Sequence, residues 1–245
     1  MVRAAISVCM PTYNGARYIK EQLDSIVAQL EDNDEVIVVD DGSRDGTRSI
    51  LEGFAQRDDR IRVIMNTKNV GVVGAVEIAV ANASREIIFL SDQDDIWLAG
   101  KVERALSKLD QDGIVAVLSN SEIFVDNKST GTLFFGSGYQ PRFSIGAQLY
   151  KNDFIGCCMC FKKSILSTAL PFPKRISMHD WWLGVNALAA GGVVFDEEPS
   201  ILYRRHGANL SPSSRRGIAS IIRSRIFDAL GLFKLLRRAG TGRAR

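Results

Sequence analysis

Short apolar runs alternate with amphipathic segments through the first half of the chain. The apolar runs are rich in Val, Ile and Leu and predict buried strands at residues 4–10, 35–39, 61–65 and 86–90. Between them, apolar residues recur every three or four positions, which predicts helices at 18–30, 47–56 and 73–83. This alternation predicts an α/β fold, with helices on both faces of a mostly parallel sheet.

The second half of the chain has a less regular pattern. Helices are predicted at 98–109 and 180–190, and strands at 114–120, 155–161, 193–196 and 201–205. Residues 126–143 are rich in glycine, serine and aromatic residues, which predicts a loop over the site.

The C-terminal tail differs from the rest of the chain in charge. The net charge is +3, but residues 215–245 contain nine basic residues and one acidic residue, so the tail carries about +8 and the rest about −5. Apolar residues recur in the tail at three- and four-residue spacing: Ile218, Ile221, Ile222, Ile226, Ala229, Leu230 and Phe233. The pattern predicts a basic amphipathic helix of roughly five or six turns.

This contrast predicts two units, a main domain at 1–211 and a basic amphipathic tail at 212–245. A basic amphipathic helix is suited to the surface of an anionic membrane. Packing of the helix on the body or on another subunit remains an alternative. Nucleic acid is disfavoured as a partner, because no aromatic-rich binding motif accompanies the charge.

The composition is that of a soluble globular protein, with 46% hydrophobic and 24% charged residues. No apolar run reaches transmembrane length, and the N-terminal run is too short for a signal peptide, so a cytoplasmic location is predicted. The four cysteines are Cys9, Cys157, Cys158 and Cys160. Too few further ligands stand at suitable spacing for zinc, so reduced, buried cysteines are predicted.

The most informative stretch is the acidic segment at 91–97 (SDQDDIW), directly after a predicted strand. Asp92, Asp94 and Asp95 place three carboxylates within four residues, and their mutual repulsion is relieved by a divalent cation. Ligands of open α/β sheets bind outside the carboxyl ends of the strands, where this segment falls. The segment therefore predicts a Mg²⁺ or Mn²⁺ ion that carries a diphosphate.

Two earlier strand ends also carry polar residues. Residues 11–15 (PTYNG) follow the first predicted strand, where backbone N–H groups could receive a nucleotide. Asp40 and Asp41 end the second, where a carboxylate can accept a hydrogen bond from a ribose or a base. An ordinary turn and a helix cap remain alternatives for the two sites. Neither a G-x-G-x-x-G motif nor a Walker lysine is present, which disfavours dinucleotide and P-loop proteins.

Several motifs occur in a fixed order along the chain. They are PTYNG at 11–15, DDGS at 40–43, NVG at 69–71, DQDD at 92–95, FIGC at 154–157, HDWW at 179–182 and YRRHGANLS at 203–211. In this combination the sequence resembles the family 2 glycosyltransferases, which share a Rossmann-like, nucleotide-sugar-binding fold called GT-A. The resemblance covers residues 4 to about 211.

The resemblance implies roles for individual residues. The residues implied in binding the nucleotide sugar are Pro11, Thr12, Tyr13, Asn14, Asp41, Asn69, Gly71, Asp92 and Gln93. The implied metal ligands are Asp94, Asp92 and His206, and an imidazole among carboxylates favours Mn²⁺ without excluding Mg²⁺. Asp180 matches the acidic residue that acts as catalytic base.

The resemblance also implies a reaction. Within the family, the chain looks most like rhamnosyltransferases of cell-surface polysaccharide assembly. It implies an inverting, metal-dependent transfer of a sugar, with rhamnose as a candidate, from a nucleoside-diphosphate sugar to a saccharide acceptor. A lipid-linked acceptor and a peripheral site on the inner face of the plasma membrane suit the basic tail.

One departure from the family pattern concerns the donor diphosphate. Relatives often carry a basic and a polar residue where this chain has Gly74 and Ala75. If the basic residue holds the diphosphate in relatives, another residue is needed here, and Arg204 or Arg205 is the candidate.

Some of these residues also have structural interpretations. Asp180 could be only the N-cap of the following helix, and His206 could be a structural histidine. Trp181 and Trp182 are candidates for stacking on an acceptor sugar, as is Trp97, although tryptophans are more often packed in a core. His179 has no predicted role beyond a structural one.

Two other functions remain open from the sequence. A non-catalytic nucleotide-sugar-binding or scaffold protein is supported only by Gly74 and Ala75, and it would bind donor without turnover. A nucleotidyltransferase also uses paired acidic residues and a metal, but residues 11–15 lack the basic phosphate-binding loop expected there.

Overall fold

The computed structural model describes residues 3–206 and 225–235. Within these ranges the chain forms one nine-stranded sheet with helices packed against it. The strands are β1 (Ile6–Thr12), β2 (Glu35–Asp40), β3 (Ile61–Met65), β4 (Ile87–Leu90), β5 (Ile96–Trp97), β6 (Ile114–Val125), β7 (Lys128–Leu133), β8 (Met159–Lys162) and β9 (Gly192–Arg205). The helices are α1 (Ile19–Val27), α2 (Thr47–Ala55), α3 (Gly71–Ala81), α4 (Lys101–Leu109), α5 (Ile145–Tyr150), α6 (Leu166–Ala169) and α7 (His179–Ala190).

The predicted α/β architecture is confirmed. The sheet order is β3-β2-β1-β4-β8-β6-β9-β5, with β7 paired to β6. The first four strands are mutually parallel, as their alternation with helices predicts. Strand β8 then runs antiparallel to both β4 and β6, and β5 runs antiparallel to β9, so the second half of the sheet is mixed.

The core strands are apolar because helices and loops cover both sides of the sheet. All seven residues of β1 and all four of β4 are buried. Parallel pairing brings the carboxyl ends of β1, β2 and β4 to the same edge. The three polar segments of the sequence analysis leave the sheet at that edge, which positions the candidate site.

The segment predicted as a loop at 126–143 contains a hairpin. Strand β7 pairs with the end of β6 through a turn at Asp126 and Asn127, which have φ angles of 49° and 59°. Asp and Asn tolerate this left-handed conformation, and their succession is a recognised hairpin signal. The glycine and serine content of the segment obscured the strand, because these residues have low β-propensity.

Two other boundaries differ from the prediction. The strand predicted at 155–161 begins with a short 3-10 turn (Gly156–Cys158) before β8. The strands predicted at 193–196 and 201–205 are one long strand, β9, whose register against β6 shifts at the polar residues between them. A bulged strand looks like two strands in sequence because its apolar pattern is interrupted.

Only part of the predicted tail helix lies within the described residues. Residues 225–235 are helical, with Asp228 and Leu235 buried and Ile226 and Leu230 exposed. The predictions that rest on Ile218, Ile221 and Ile222, on most of the tail arginines and on motif positions 207–211 lie outside the described residues. The boundary between the two predicted units at 211 also lies there and remains a prediction.

Candidate active site

The acidic loop (residues 91–95) connects β4 to β5. Strand β5 pairs with β9, with Ile96 opposite Leu202, so the end of β9 returns beside the loop. His206 follows β9, and its Nε2 lies 2.7 Å from Oδ2 of Asp94. The structure thus joins two of the three metal ligands that the family resemblance implies, Asp94 and His206.

An aromatic contact fixes the orientation of His206. The imidazole is stacked on the ring of Tyr18, with ring centroids 4.8 Å apart and an interplanar angle of 24°. Tyr18 immediately precedes α1, so the first helix of the fold supports the histidine. A ring held on one face by packing presents its nitrogen in one direction, as a metal ligand requires.

Asp92 has a different set of neighbours from Asp94. An oxygen of Asp92, an oxygen of Asp95 and the sulfur of Cys157 lie within 4.8 Å of one another. Burial, with the nearby carboxylates of Asp94 and Asp180, raises the pKa of Asp92 to about 7. Burial, with the nearby carboxylates of Asp92 and Asp94, raises the pKa of Asp95 well above its usual range.

The donor set at this loop fits a divalent cation. Carboxylate oxygens and one imidazole nitrogen are ligands that Mn²⁺ accepts, and Mg²⁺ accepts the oxygens. Burial is the main cause of the raised pKa of Asp92 and the carboxylates of Asp94 and Asp180 add to it, and a cation would offset the repulsion among these groups. Asp94 and His206 would hold the ion, with Asp92 on the same loop.

A buried lysine lies beneath the acidic loop. Nζ of Lys101 donates to the backbone oxygen of Cys157 at 3.2 Å and to Oγ of Ser200 at 3.0 Å. Burial lowers the pKa of this lysine. Lys101 could not be recognised from the sequence because it belongs to an ordinary amphipathic helix, α4. No local signal distinguishes it from an exposed lysine.

Gln93 links the acidic loop to the loop after β1. Its Oε1 accepts from Oγ1 of Thr12 at 2.6 Å and from the backbone N of Tyr13 at 2.9 Å. Its Nε2 donates to the backbone oxygen of Tyr13 at 3.2 Å. A Cβ at Gly15 would lie 2.3 Å from Oε1 of Gln93, so glycine is required for this close approach. Two of the predicted nucleotide-binding segments therefore form one surface.

The loop after β1 is also joined to the loop after β2. The backbone N of Asn14 donates to Oγ of Ser43, and Oδ1 of Asn14 accepts from the backbone N of Arg44, both at 2.9 Å. Asn14 has a φ of 49°, a left-handed conformation that asparagine tolerates. Pro11 lies within β1, where it pairs with Val39.

Asp41 caps the start of α3. Its Oδ1 accepts from the backbone N of Val70, and its Oδ2 accepts from the backbone N of Gly71, both at 2.8 Å. Asn66 also donates to Oδ1, and Asn69 donates to the backbone oxygen of Asp41. This carboxylate therefore organises the β3–α3 turn, and its predicted contact with the nucleoside remains a prediction.

The packing around α3 explains part of the departure from the family pattern at Gly74 and Ala75. Gly71 has a φ of 78°, which favours glycine. Ala75 is fully buried, and a Cβ at Gly74 would lie 2.9 Å from Cγ2 of Val70. A long basic side chain at 74 requires a different position of Val70, and one at 75 would enter the core.

Asp180 lies in the first turn of α7. Its Oδ1 accepts from Nδ2 of Asn152 at 3.2 Å and from the backbone N of Trp181 at 2.5 Å. The helix N-terminus stabilises a negative charge at this position. Asp180 is close enough to Asp92 to raise the pKa of that carboxyl, so the predicted base faces the acidic loop. Asn152 was missed because it lies two residues before the FIGC motif and is not part of it.

The structure corrects the acceptor-stacking interpretation of two tryptophans. Trp181 and Trp182 are fully buried, and their indole nitrogens donate to the backbone oxygens of Gln148 and Ala169. Trp97 is also buried. Neither ring of the pair has an open face for a sugar, so both pack the core around α7, as the alternative interpretation held.

Arg204 is enclosed rather than open to solvent. Its guanidinium donates to the backbone oxygen of Asp94 at 2.7 Å and also contacts Asn127 and Glu21. Its backbone N donates to Oδ1 of Asp95 at 3.0 Å. The side chain thus holds the acidic loop in place, and its predicted contact with a donor diphosphate remains a prediction.

His179 is buried beside the site and makes the structural contact expected of it. A Cβ at Gly156 would lie 2.7 Å from its Nε2. Burial lowers the pKa of His179 to about 4, so the ring is neutral at physiological pH. Its role is to fill space between the FIGC segment and the start of α7.

Comparison with known proteins identifies the family. Residues 7–169 match the sequence profile described as Glycosyl transferase family 2. This chain belongs to glycosyltransferase family 2. The match contains every predicted site segment up to FIGC, and the acidic loop lies in its middle.

Two relatives are named enzymes. The Escherichia coli protein "UDP-Glc:alpha-D-GlcNAc-diphosphoundecaprenol beta-1,3-glucosyltransferase WfgD" is 31% identical over 75% of this chain and 69% of its own length. The Shigella flexneri "dTDP-rhamnosyl transferase RfbG" is 26% identical over 88% of this chain and 80% of its own length. Matches to other relatives cover as little as 40% of the relative's length.

A solved structure supports the fold. S. aureus TarS 1–349, in complex with UDP-GlcNAc, superposes with a TM-score of 0.71 over 92% of this chain and 66% of that chain, at 19% identity. At this identity the likeness concerns the fold alone, and it confirms the GT-A-like architecture. In the described part of this chain, no helix has the length and apolar character needed to cross a bilayer.

Proposed function

We propose that this chain is an inverting, metal-dependent glycosyltransferase that acts in cell-surface polysaccharide assembly. The donor is a nucleoside-diphosphate sugar and the acceptor is a saccharide carried on a lipid. The observation that carries the proposal is one juxtaposition: Asp94 of the acidic loop pairs with His206, and the Asp180 carboxylate lies close enough to the same loop to raise the pKa of Asp92.

The metal proposed here is Mn²⁺ or Mg²⁺, with Asp94, His206 and Asp92 as its ligands. When bound, such an ion neutralises the charge that develops on a departing diphosphate. The residues of this chain supply the rest: the acidic loop orients the donor, and the loops joined by Gln93 and Ser43 form the surface for the nucleoside.

Asp180 is proposed as the catalytic base. Asn152 donates to its Oδ1 and the helix N-terminus stabilises a negative charge there, so the carboxylate is held in a fixed direction. It would remove the proton of the acceptor hydroxyl as that oxygen attacks the anomeric carbon. One base with direct attack inverts the anomeric centre, because the nucleophile and the leaving group are on opposite faces of the sugar.

The acceptor and location are proposed from the relatives and the tail. The name of WfgD includes a diphosphoundecaprenol-linked acceptor, which supports a lipid-linked saccharide here. The name of RfbG supports rhamnose as the sugar to test first. A lipid-linked acceptor requires the enzyme to work at a membrane, and we propose the inner face of the plasma membrane with the basic tail as its contact.

Transfer assays with an active-site variant test this proposal. The protein is incubated with a panel of nucleoside-diphosphate sugars, Mn²⁺ and a lipid-diphosphate saccharide, and released nucleoside diphosphate and product configuration are measured. We expect Asp180→Asn to lower turnover about 10²–10⁴-fold while donor binding is retained. Asp24→Asn, which changes an exposed aspartate of α1, serves as the matched control. Full transfer by Asp180→Asn, or a product of retained configuration, would contradict the proposal.

A further inference from the structure

The helix at 225–235 is attached to the body along one face. Asp228 is fully buried and its Oδ1 accepts from the backbone N of Ser177 at 3.0 Å. Arg225 donates to the backbone oxygen of Tyr150 at 3.0 Å and pairs with Asp228. Leu235 is buried as well. This helix is therefore an integral surface of the domain, with defined inner and outer faces.

The outer face of this helix is apolar. Ile226, Leu230 and Phe233 are 54%, 58% and 60% exposed, and their spacing of four and three residues puts them on one side. Tyr150, whose backbone oxygen binds Arg225, is 81% exposed. Single exposed apolar residues are ordinary, whereas a row of three large ones marks a contact surface.

Basic residues border this apolar row. A groove of about 340 Å³ runs between residues 173–175 and the helix. Among its lining residues are Lys174, Arg175 and Lys234, together with Leu230 and Phe233, and the lining contains no acidic side chain. The guanidinium of Arg175 lies 5.5 Å from the ring centroid of Phe227, so it is held against the helix.

We propose that this basic-apolar face (Ile226, Leu230, Phe233, Lys174, Arg175 and Lys234) docks on the surface of an anionic phospholipid bilayer. Apolar side chains would enter the boundary between headgroups and acyl chains, and the cations would contact lipid phosphates. The inference deepens the membrane contact that the proposed function assigns to the basic tail, and it rests on the proposed function for the lipid-linked nature of the acceptor.

The charge of this face favours an anionic bilayer over a second copy of the chain as its partner. Two copies joined through this face would bring six cations together without an acidic partner in the groove lining. The sequence adds to the positive charge, since residues 215–245 hold nine basic residues and one acidic residue. An anionic bilayer satisfies both the charge and the apolar row, because basic residues are attracted to its surface.

The position of the face connects membrane contact to the active site. Ser177, which the helix holds through Asp228, lies three residues before Asp180. On the other side, Arg225 holds Tyr150, two residues before the Asn152 that binds Asp180. Docking of this face would therefore place the bilayer on the side of the molecule that carries Asp180, the proposed base for a lipid-linked acceptor.

Vesicle binding by the full chain tests the inference without any sugar transfer. Flotation is measured with vesicles of phosphatidylcholine alone and of phosphatidylcholine with phosphatidylglycerol. We expect binding to the anionic vesicles only, weakened about 10-fold or more in Leu230→Ser/Phe233→Ser because two large apolar side chains are lost. Val125→Ser removes an exposed aliphatic residue outside the face and should bind like the unchanged protein. The Lys174→Gln/Arg175→Gln variant, which is changed outside the helix, should bind the anionic vesicles more weakly. High salt should weaken the binding of the unchanged protein in the same way, because it screens the same charges.

Three results would overturn the inference. The first is equal binding of the protein to neutral and anionic vesicles, and the second is undiminished binding by both double variants. The third is a dimer that the Leu230→Ser/Phe233→Ser substitutions dissociate, which would make a second copy of the chain the occupant of the face. Donor-induced thermal stabilisation of each variant is measured in parallel and should match that of the unchanged protein. If the unchanged protein transfers sugar to a soluble acceptor but does not bind anionic vesicles, only this inference is contradicted. If it binds the vesicles but transfers no sugar, only the proposed function is contradicted.

Discussion

Nε2 of His206 lies 2.7 Å from Oδ2 of Asp94, although 112 residues separate them in the chain. The contact exists because β5 pairs with β9 and carries the end of β9 to the acidic loop. Tyr18 supports the imidazole from one face. These two residues are the centre of the metal site that we propose.

Replacement of His206 should change metal preference more than fold stability. We expect His206→Ala to raise the Mn²⁺ concentration for half-maximal turnover about 10-fold or more. The Mg²⁺ dependence should change less, because Mg²⁺ prefers oxygen ligands. The measurement is nucleoside-diphosphate release against metal concentration, with His206→Asn as a variant that keeps a polar group but no imidazole. An unchanged Mn²⁺ dependence would remove His206 from the metal site.

Gln93 should set donor affinity. It accepts two hydrogen bonds from the loop after β1 and donates one back, and each net hydrogen bond contributes about 1 kcal/mol. We expect Gln93→Ala to raise KM for the donor about 5- to 30-fold, with a smaller change in kcat. Gln56→Ala, which alters an exposed glutamine at the end of α2, is the matched control. A fall in kcat with KM constant would argue against this positioning role.

The site residues at the strand ends could be predicted from the sequence, because the apolar runs before them are a local signal. Thr12, Asp41 and Asp92 follow apolar runs, and parallel strands bring their carboxyl ends to one edge, so their convergence follows from the pattern. The partners that orient them could not be predicted in the same way. Asn152, two residues before the FIGC motif, and Lys101, in an amphipathic helix, contact the site through tertiary packing, which neither residue's own position in the sequence indicates.

The sequence-based predictions that were wrong also have specific causes. Trp181 and Trp182 follow Asp180 directly, which suggested an acceptor surface, but on a helix successive residues point in different directions, and both rings face the core. The hairpin at Asp126 was missed because its second strand is polar and fully exposed for most of its length. Burial and register, which decide both cases, depend on residues distant in sequence.

Asp41 should contribute to stability as well as to any nucleotide contact. Its carboxylate accepts from the backbone N of Val70 and of Gly71, and an amide cannot replace both acceptors. We expect Asp41→Asn to lower the free energy of unfolding by about 1–3 kcal/mol in urea titrations. Asp24→Asn, in an exposed ion pair with Lys20, should change it by less than about 1 kcal/mol. Equal effects of the two substitutions would contradict the capping role.

His179 should make stability depend on pH below neutrality. Burial lowers its pKa in the folded state to about 4, below its value of about 6.5 in the unfolded chain. Between these values the unfolded state binds more protons, so the free energy of unfolding falls as pH decreases, by at most ~1.4 kcal/mol per pH unit. Below about 4 the contribution is fully lost.

Urea titrations between pH 7.5 and 4.5 check this slope. In His179→Gln the part of the slope due to the histidine should disappear, even if the variant is less stable at every pH. Parallel curves for the variant and the unchanged protein would show that His179 titrates normally and that its burial has no effect on protonation.

The most direct test of the central claim is the thermal stability of the purified protein with a panel of nucleoside-diphosphate sugars, with and without Mn²⁺. A ligand at about 100 times its Kd adds about 2.7 kcal/mol to the stability of the native state, which corresponds to a rise in Tm of roughly 5–10 °C. We predict such a rise with at least one donor, only in the presence of Mn²⁺, and its loss in Asp94→Ala. A rise that is the same without metal, or that persists in a folded Asp94→Ala variant, would contradict the metal-dependent donor site.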